Sequence, residues 1–175
     1  MTIESRKARI AILNISVGTM IAIFAALTLL PYDLTSMVFA QEPMTITVNL
    51  TGNEEVPPVQ TEATGVAEFT PMGMDSIGYT INATNIEGAT AGHIHQGTKG
   101  ENGPVVVTLF KYDTPMNEVS ENGTITADKL EGPMAGKQVS DLEAAGANGT
   151  LYVNIHTEKN PNGEIRGQGG NPAMQ

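Results

Sequence analysis

From residue 44 onward the chain alternates apolar and polar residues in short runs, and Gly, Pro or Asn cuts off each run. This pattern limits the fold more than any other feature. A period of two sends successive side chains to opposite faces, which suits a half-buried strand and not a helix. Met44-Thr-Ile-Thr-Val-Asn-Leu-Thr51 is the first such run, and Gly52-Asn53 starts a turn after it. Glu54-Glu55-Val56-Pro57-Pro58 cannot be a central strand, because its two prolines lack amide donors. Further strands are expected at Thr64-Gly-Val-Ala-Glu-Phe69, at Ser76-Ile-Gly-Tyr-Thr-Ile-Asn-Ala83 and across residues 90–95. Pro104-Val-Val-Val-Thr-Leu-Phe110 is the most apolar run of this region and reads as a buried strand. Asn122-Gly123 reads as a turn ahead of a short strand, Thr124-Ile-Thr126, and residues 151–156 and 164–167 complete the set. Short strands at this spacing predict an all-β Greek-key sandwich or barrel.

One stretch has a different rhythm. Ser140-Asp-Leu-Glu143 matches a capping box, with Leu142, Ala144 and Ala145 following and Gly146 as the expected stop. It predicts one short helix between strands. Residues 169–175 are rich in Gly, Pro and Asn and are expected to form a flexible tail.

The first 40 residues read as a targeting segment. Arg6, Lys7 and Arg9 precede an apolar run over residues 10–30, and Val38-Phe39-Ala40 fits signal-peptidase cleavage before Gln41. The apolar run is also about long enough to span a bilayer, so an uncleaved N-terminal membrane anchor is the competing expectation. Either way the remainder is expected to be exported, to the cell surface or beyond.

That remainder, residues 41–175, suits a single core. It carries 6 basic and 17 acidic residues, a formal net charge of −11. Such a surface repels nucleic acid and anionic lipid, so no nucleic-acid partner is expected, and no membrane contact other than the leader. Its plainest meaning is solubility. The chain has no cysteine, which excludes disulfides, thiolate catalysis and Cys-ligated metals. It also has no tryptophan, which argues against a platform for stacking sugars or single-stranded bases. Asn49, Asn82, Asn122 and Asn148 stand in Asn-x-Ser/Thr sequons, whose occupancy depends on the host. Gly97, Gly100 and Gly103 lack the spacing and the following Lys of a phosphate loop. Glu54 and Glu55 read as a solvated turn, and no Gly-x-Ser-x-Gly or triad pattern occurs.

All three histidines fall in two strand-like patches, Gly92-His93-Ile94-His95-Gln96-Gly97 and Tyr152-Val153-Asn154-Ile155-His156-Thr157. If Ile94 and Ile155 face the core, then His93, His95 and His156 all lie on the opposite face of their sheet. Three imidazoles from two strands can bind one transition metal, with copper favoured and zinc possible. The alternative is that each imidazole bonds backbone at a strand end. Glu164 and Arg166 share a face opposite Ile165, and the turn-rich Asn160-Pro161-Asn162-Gly163 can fold them back beside His156 and Asn154. Asn154, Glu164 and Arg166 are therefore candidates to surround the metal, with Glu164 orienting an imidazole. A cross-strand salt bridge or a bond to a loop carbonyl is the competing role for Glu164 and Arg166. Asn154 and Thr157 are expected to satisfy loop backbone.

Together these blocks resemble a known family. Gly92-His-Ile-His95, Gly97, Gly103-Pro-Val-Val-Val-Thr-Leu109, Leu151-Tyr-Val-Asn-Ile-His-Thr157 and Asn160-Pro-Asn-Gly-Glu-Ile-Arg-Gly167 look like the CHRD domain. So do Leu50-Thr-Gly-Asn-Glu-Glu-Val-Pro-Pro58 and Thr64-Gly-Val-Ala67. That domain is named after chordin, an extracellular developmental antagonist, and also occurs in exported bacterial and archaeal proteins. The resemblance implies a CHRD domain over residues 41–168, outside the cell, and its microbial members mostly lack an assigned activity. A weaker resemblance is to copper–zinc superoxide dismutases, which carry a His-x-His strand on a Greek-key β-sandwich with copper on the outer face. Those enzymes use more than three histidines, one of them bridging copper to zinc, and they have a disulfide. This chain departs on both counts, so the resemblance extends to the fold and one metal. Three functions are thus expected in order: an exported metal-binding module without catalysis, a structural or adhesive module of the cell envelope without metal, and a dismutase-like redox enzyme.

Overall fold

A computed structural model of the protein describes residues 44–170. The expected leader, residues 1–40, lies outside the described residues, as do residues 171–175. Eight antiparallel strands follow one another: β1 (Ile46–Thr51), β2 (Thr64–Pro71), β3 (Ser76–Thr84), β4 (Ala89–Gln96), β5 (Val105–Met116), β6 (Val119–Thr126), β7 (Leu151–Thr157) and β8 (Ile165–Gln168). Helix α1 (Val139–Ala147) lies between β6 and β7.

The strands form one sheet in the order β5-β4-β7-β8-β1-β2-β3-β6. Its two end strands, β5 and β6, are consecutive in sequence, so the sheet curls into a nearly closed barrel. The Tyr79 hydroxyl of β3 donates to the Leu109 carbonyl of β5, and the Tyr112 hydroxyl donates to Glu121 at 2.9 Å across the seam. With β3 beside β6 and β4 beside β7, the connections are those of a Greek key.

Alternation builds the core as the sequence implies. Leu50, Ile81, Ile94, Val107, Ile155 and Ile165 face inward and are buried. Val139 and Leu142 of α1 are also buried and belong to the same core. In β7 both faces are covered: Leu151, Val153 and Ile155 belong to the core, while Tyr152 and Asn154 are buried on the outer side. Loops cover β7 and its neighbours there, and the histidines lie beneath them.

Two local expectations need correction. Asn122-Gly123 is not a turn. Both residues lie inside β6, opposite Thr80 and Tyr79, and the β5–β6 turn is at Asn117-Glu118. Gly123 is there because a Cβ would come within 2.8 Å of the Tyr79 ring, so its bare backbone makes room for the aromatic that closes the seam. The helix also starts earlier than Ser140. Gln138 and Asp141 form the capping box, with Asp141 Oδ2 accepting from Gln138 N–H at 2.9 Å. Burial of Val139 in the core draws the first turn back by this step. The helix runs past Gly146 to Ala147, with Asn148 as its C-cap, and Gly149 follows with the φ of 67° that suits a glycine after a helix C-cap. Gly169 N–H donates to the Leu151 carbonyl at 2.8 Å, so the chain is still held one residue beyond β8.

The inside–outside assignment is testable. Ile155→Ala, on the fully buried face of β7, is expected to lower stability by about 2–5 kcal/mol. Val66→Ala, on the exposed face of β2, is expected to stay within about 0.5 kcal/mol. Urea denaturation of both variants checks this, and equal losses would contradict the barrel's orientation.

Candidate metal centre

β4 and β7 are neighbours in the sheet, and their register sets the site. Ala91 pairs with His156, His93 with Asn154, and His95 with Tyr152. Ile94 and Ile155 are both core residues, so all three histidines share the outer face. On its other side β4 meets β5 through a register that shifts between Gly92 and His93 and again between Ile94 and His95. Such irregularities re-aim side chains beside sites. Gly92 is needed on the inner face, where a Cβ would lie 2.3 Å from the Phe110 ring.

The ring centroids of His93 and His156 are 4.8 Å apart, and those of His95 lie 5.7 Å from His93 and 5.8 Å from His156. One ring nitrogen from each residue lies within 4.8 Å of the others, an arrangement that can hold a metal ion. Backbone carbonyls fix two of the tautomers. His95 Nδ1 is 2.9 Å from the Gly103 carbonyl, and His156 Nδ1 is 3.0 Å from the Pro161 carbonyl. A carbonyl only accepts, so both Nδ1 atoms carry the proton and both Nε2 atoms present a lone pair. Those Nε2 atoms, together with His93 Nδ1, are buried and have no hydrogen-bond partner. Buried polar atoms are rarely left so.

The rings are held neutral. Burial pushes the His93 pKa down to about 4, assisted by repulsion from His156, His95 and Lys111. Burial also lowers His95, against the hydrogen bond to Gly103 and the nearby Asn154 side chain, which raise it, and with the charge of Arg166 lowering it further. For His156 burial again dominates, opposed by the bond to Pro161 and reinforced by His95.

The surrounding residues sort differently from the expectation. Asn154 is almost fully buried beside the histidines, and its amide donates to the Asn162 carbonyl at 3.4 Å. Arg166 makes bonds to loop carbonyls, the second of its two expected roles. Its Nη2 donates to Glu101 O at 2.9 Å and Thr98 O at 3.3 Å, and its Nη1 to Asn102 Oδ1 at 3.1 Å. Its guanidinium also lies 3.4 Å over the Tyr152 ring, and that ring stacks on His95 at 4.8 Å with planes 9° apart. Because β7 runs between β4 and β8, Tyr152 is clamped between the imidazole and the guanidinium. Glu164 accepts from the Thr61 and Thr157 hydroxyls, both at 2.7 Å, and from the Asn160 amide at 3.1 Å. Burial pushes its pKa up, but these three bonds outweigh it and hold the carboxyl below its usual value. All of its hydrogen bonds therefore serve the loops around residues 61 and 160, and none goes to an imidazole.

Glu55 is the residue that the sequence reading missed. It is not in a solvated turn but only 5 % exposed, and its Oε1 has no hydrogen-bond partner. It lines the same cleft as His95, His156 and Tyr152, a space of about 600 Å³. Burial raises its pKa to about 7, against the attraction of Arg166 and the nearby amides of the Asn154 side chain and the Val56 backbone. Gly163 makes room for it: a Cβ there would fall 2.3 Å from Glu55 Oε1 and 2.7 Å from Asn154 Nδ2.

The CHRD domain model matches residues 46–168. The chain belongs to the CHRD domain family. No curated protein and no solved structure matches it. The family match begins five residues after the expected cleavage point and runs to the end of β8, so it takes in the whole barrel and all three histidines.

The pKa shifts give the pH dependence a sign. Lowered histidines mean that the unfolded chain binds more protons below 6.5, so their contribution to stability is present above that pH. It is lost as pH falls from 6.5, for His93 down to about 4. Glu55 acts oppositely: its raised pKa makes stability fall as pH rises from 4.5 to about 7. In the metal-free protein, Glu55→Gln is therefore expected to steepen the gain in melting temperature with pH across this window, and His93→Gln to flatten it. Thermal melts from pH 4 to pH 8 check both directions.

Proposed function

We propose that this CHRD domain binds one transition metal through His93, His95 and His156, with copper favoured and zinc the alternative. The observation that carries this reading is the set of three neutral imidazoles whose buried, unpartnered nitrogens come from one outer face. Neutral imidazole binds copper(II) more strongly than the other first-row divalent ions. Nitrogens bonded at about 2.0–2.1 Å to one ion lie no more than about 4.2 Å apart, so uptake draws the rings slightly together. Three protein ligands leave a position open for water or for a further ligand, which suits a protein that holds or passes on metal. Two imidazoles already have their outer nitrogen bonded to a carbonyl, the usual arrangement around a metal-bound histidine.

The same carbonyl bonds also favour a second reading, an envelope module in which the histidines only brace the loops. Calorimetric titration with copper(II) and zinc, with spin resonance for copper, separates the two. One-to-one binding is expected, weakened at least a hundredfold in His93→Ala, His95→Ala and His156→Ala. Weak binding that the three substitutions leave unchanged would remove the metal and leave the bracing role.

We also infer that the domain works outside the cytoplasm, secreted or held at the surface by its first 40 residues. The basic and apolar leader supports this. Among the described residues no helix is long and apolar enough to cross a membrane. N-terminal sequencing of the protein recovered from its host is expected to start at Gln41. A protein that keeps Met1 and stays with the membrane fraction would point to the anchor, and one that keeps Met1 and stays in the cytoplasm would overturn export.

A further inference from the structure

The cleft above the histidines holds a carboxylate that the fold has buried and left half unsatisfied. Glu55 follows the 3-10 turn Gly52–Glu54, and this turn is pinned. Glu55 N–H and Val59 N–H both donate to the Gly52 carbonyl, at 3.2 and 2.9 Å, and Asn102 Nδ2 donates to the Val56 carbonyl at 2.7 Å. The side chain is thus aimed into the cleft by backbone bonds on both sides of it. Neighbouring Glu54 goes the other way, to an exposed ion pair with Lys99 at 3.2 Å. The natural partner for Glu55 is Arg166, but its guanidinium is occupied. It bonds Thr98, Glu101, Asn102 and Gln168 and lies flat on Tyr152. Asn154, which pairs with His93 in the β4–β7 register, has its amide close to Glu55 Oε1 beside Gly163. Lys159 also lines the cleft but is exposed to solvent. Glu55 is outside the group of ligand atoms that lie within 4.8 Å of one another, so it is not a fourth ligand in this arrangement.

We propose that Glu55 accepts a hydrogen bond from the small ligand that fills the open position on the histidine-bound metal, so that the site takes neutral protic molecules such as water or an azole and disfavours anions. This rests on the metal-centre reading above. The physical reason is that an unpartnered, buried carboxylate oxygen attracts a donor and repels a negative charge, both more strongly than in water. A metal with three neutral ligands would otherwise attract small anions, and Glu55 supplies the opposing charge.

The test uses the full chain loaded with copper(II) at pH 8, with azide as the anionic probe and imidazole as the neutral one. The charge-transfer band follows azide, and spin resonance follows imidazole. Glu55→Gln keeps the shape and removes the charge, and thermal melting checks that the fold survives. Azide affinity is expected to rise roughly tenfold in Glu55→Gln and Glu55→Ala. Imidazole affinity is expected to fall in Glu55→Gln, whose neutral amide oxygen accepts more weakly, and to fall further in Glu55→Ala. Azide affinity equal in all three proteins, with copper bound normally, would overturn the role of Glu55 and leave the metal centre standing. Loss of copper from Glu55→Gln would make Glu55 a metal ligand and overturn its role as acceptor. Failure of the unsubstituted protein to take up copper or zinc would overturn the metal centre and this inference together.

Discussion

Arg166 brings a permanent charge into the protein with 1 % of its surface exposed, and the outer face of the barrel is arranged around it. A buried guanidinium requires partners for its fork of donors. The 97–103 loop supplies them through Thr98 O, Glu101 O and the Asn102 side chain. Those bonds draw the loop down over β7 and β8. The same loop carries Gly103, whose carbonyl orients His95 and whose N–H is donated to the Tyr152 hydroxyl at 3.1 Å. One side chain on β8 therefore fixes the ring of a residue on β4, two strands away, through a loop on one route and a stacked tyrosine on the other.

Covering the outer face has a direct chemical result. Imidazoles on an open sheet would titrate near their ordinary value and meet water. Here burial is the leading cause of every histidine shift, and it keeps the rings neutral, with one ring nitrogen of each within 4.8 Å of the others. The two buried glutamates show how much depends on partners rather than on burial alone. Glu164 has three donors, and its carboxyl falls below its usual range. Glu55 has one oxygen without any partner, and its carboxyl rises to about 7. The first supports a loop, while the second faces a cleft.

Much of the site was legible because alternation is a local property. Ile94 between His93 and His95, and Ile155 before His156, were enough to place three imidazoles opposite the core. The eight strands were legible for the same reason, and the single helix from the local capping pattern near Ser140. The misreadings share a different cause. Asn122-Gly123 has turn chemistry, but Tyr79 on another strand needs a residue without a side chain there. Gln138 displaced Ser140 as the cap because Val139 is drawn into the core. Glu55 looked solvated beside Glu54, since nothing local says that Gly163, far along the chain, leaves a space for its carboxylate.

The sequence by itself determined which residues share a face, that disulfides and thiolate ligands are absent, and that the chain carries the CHRD blocks. These follow from residue type and from a period of two, which need no knowledge of neighbours. Only the tertiary structure decided that β7 lies beside β4, with Ala91 opposite His156, so that the third imidazole joins the other two. It alone decided that loops close over that face and turn a polar surface into a largely buried site. Strand order and loop burial depend on contacts between segments about 60 residues apart, as His95 and His156 are, and no local pattern encodes which segments will meet.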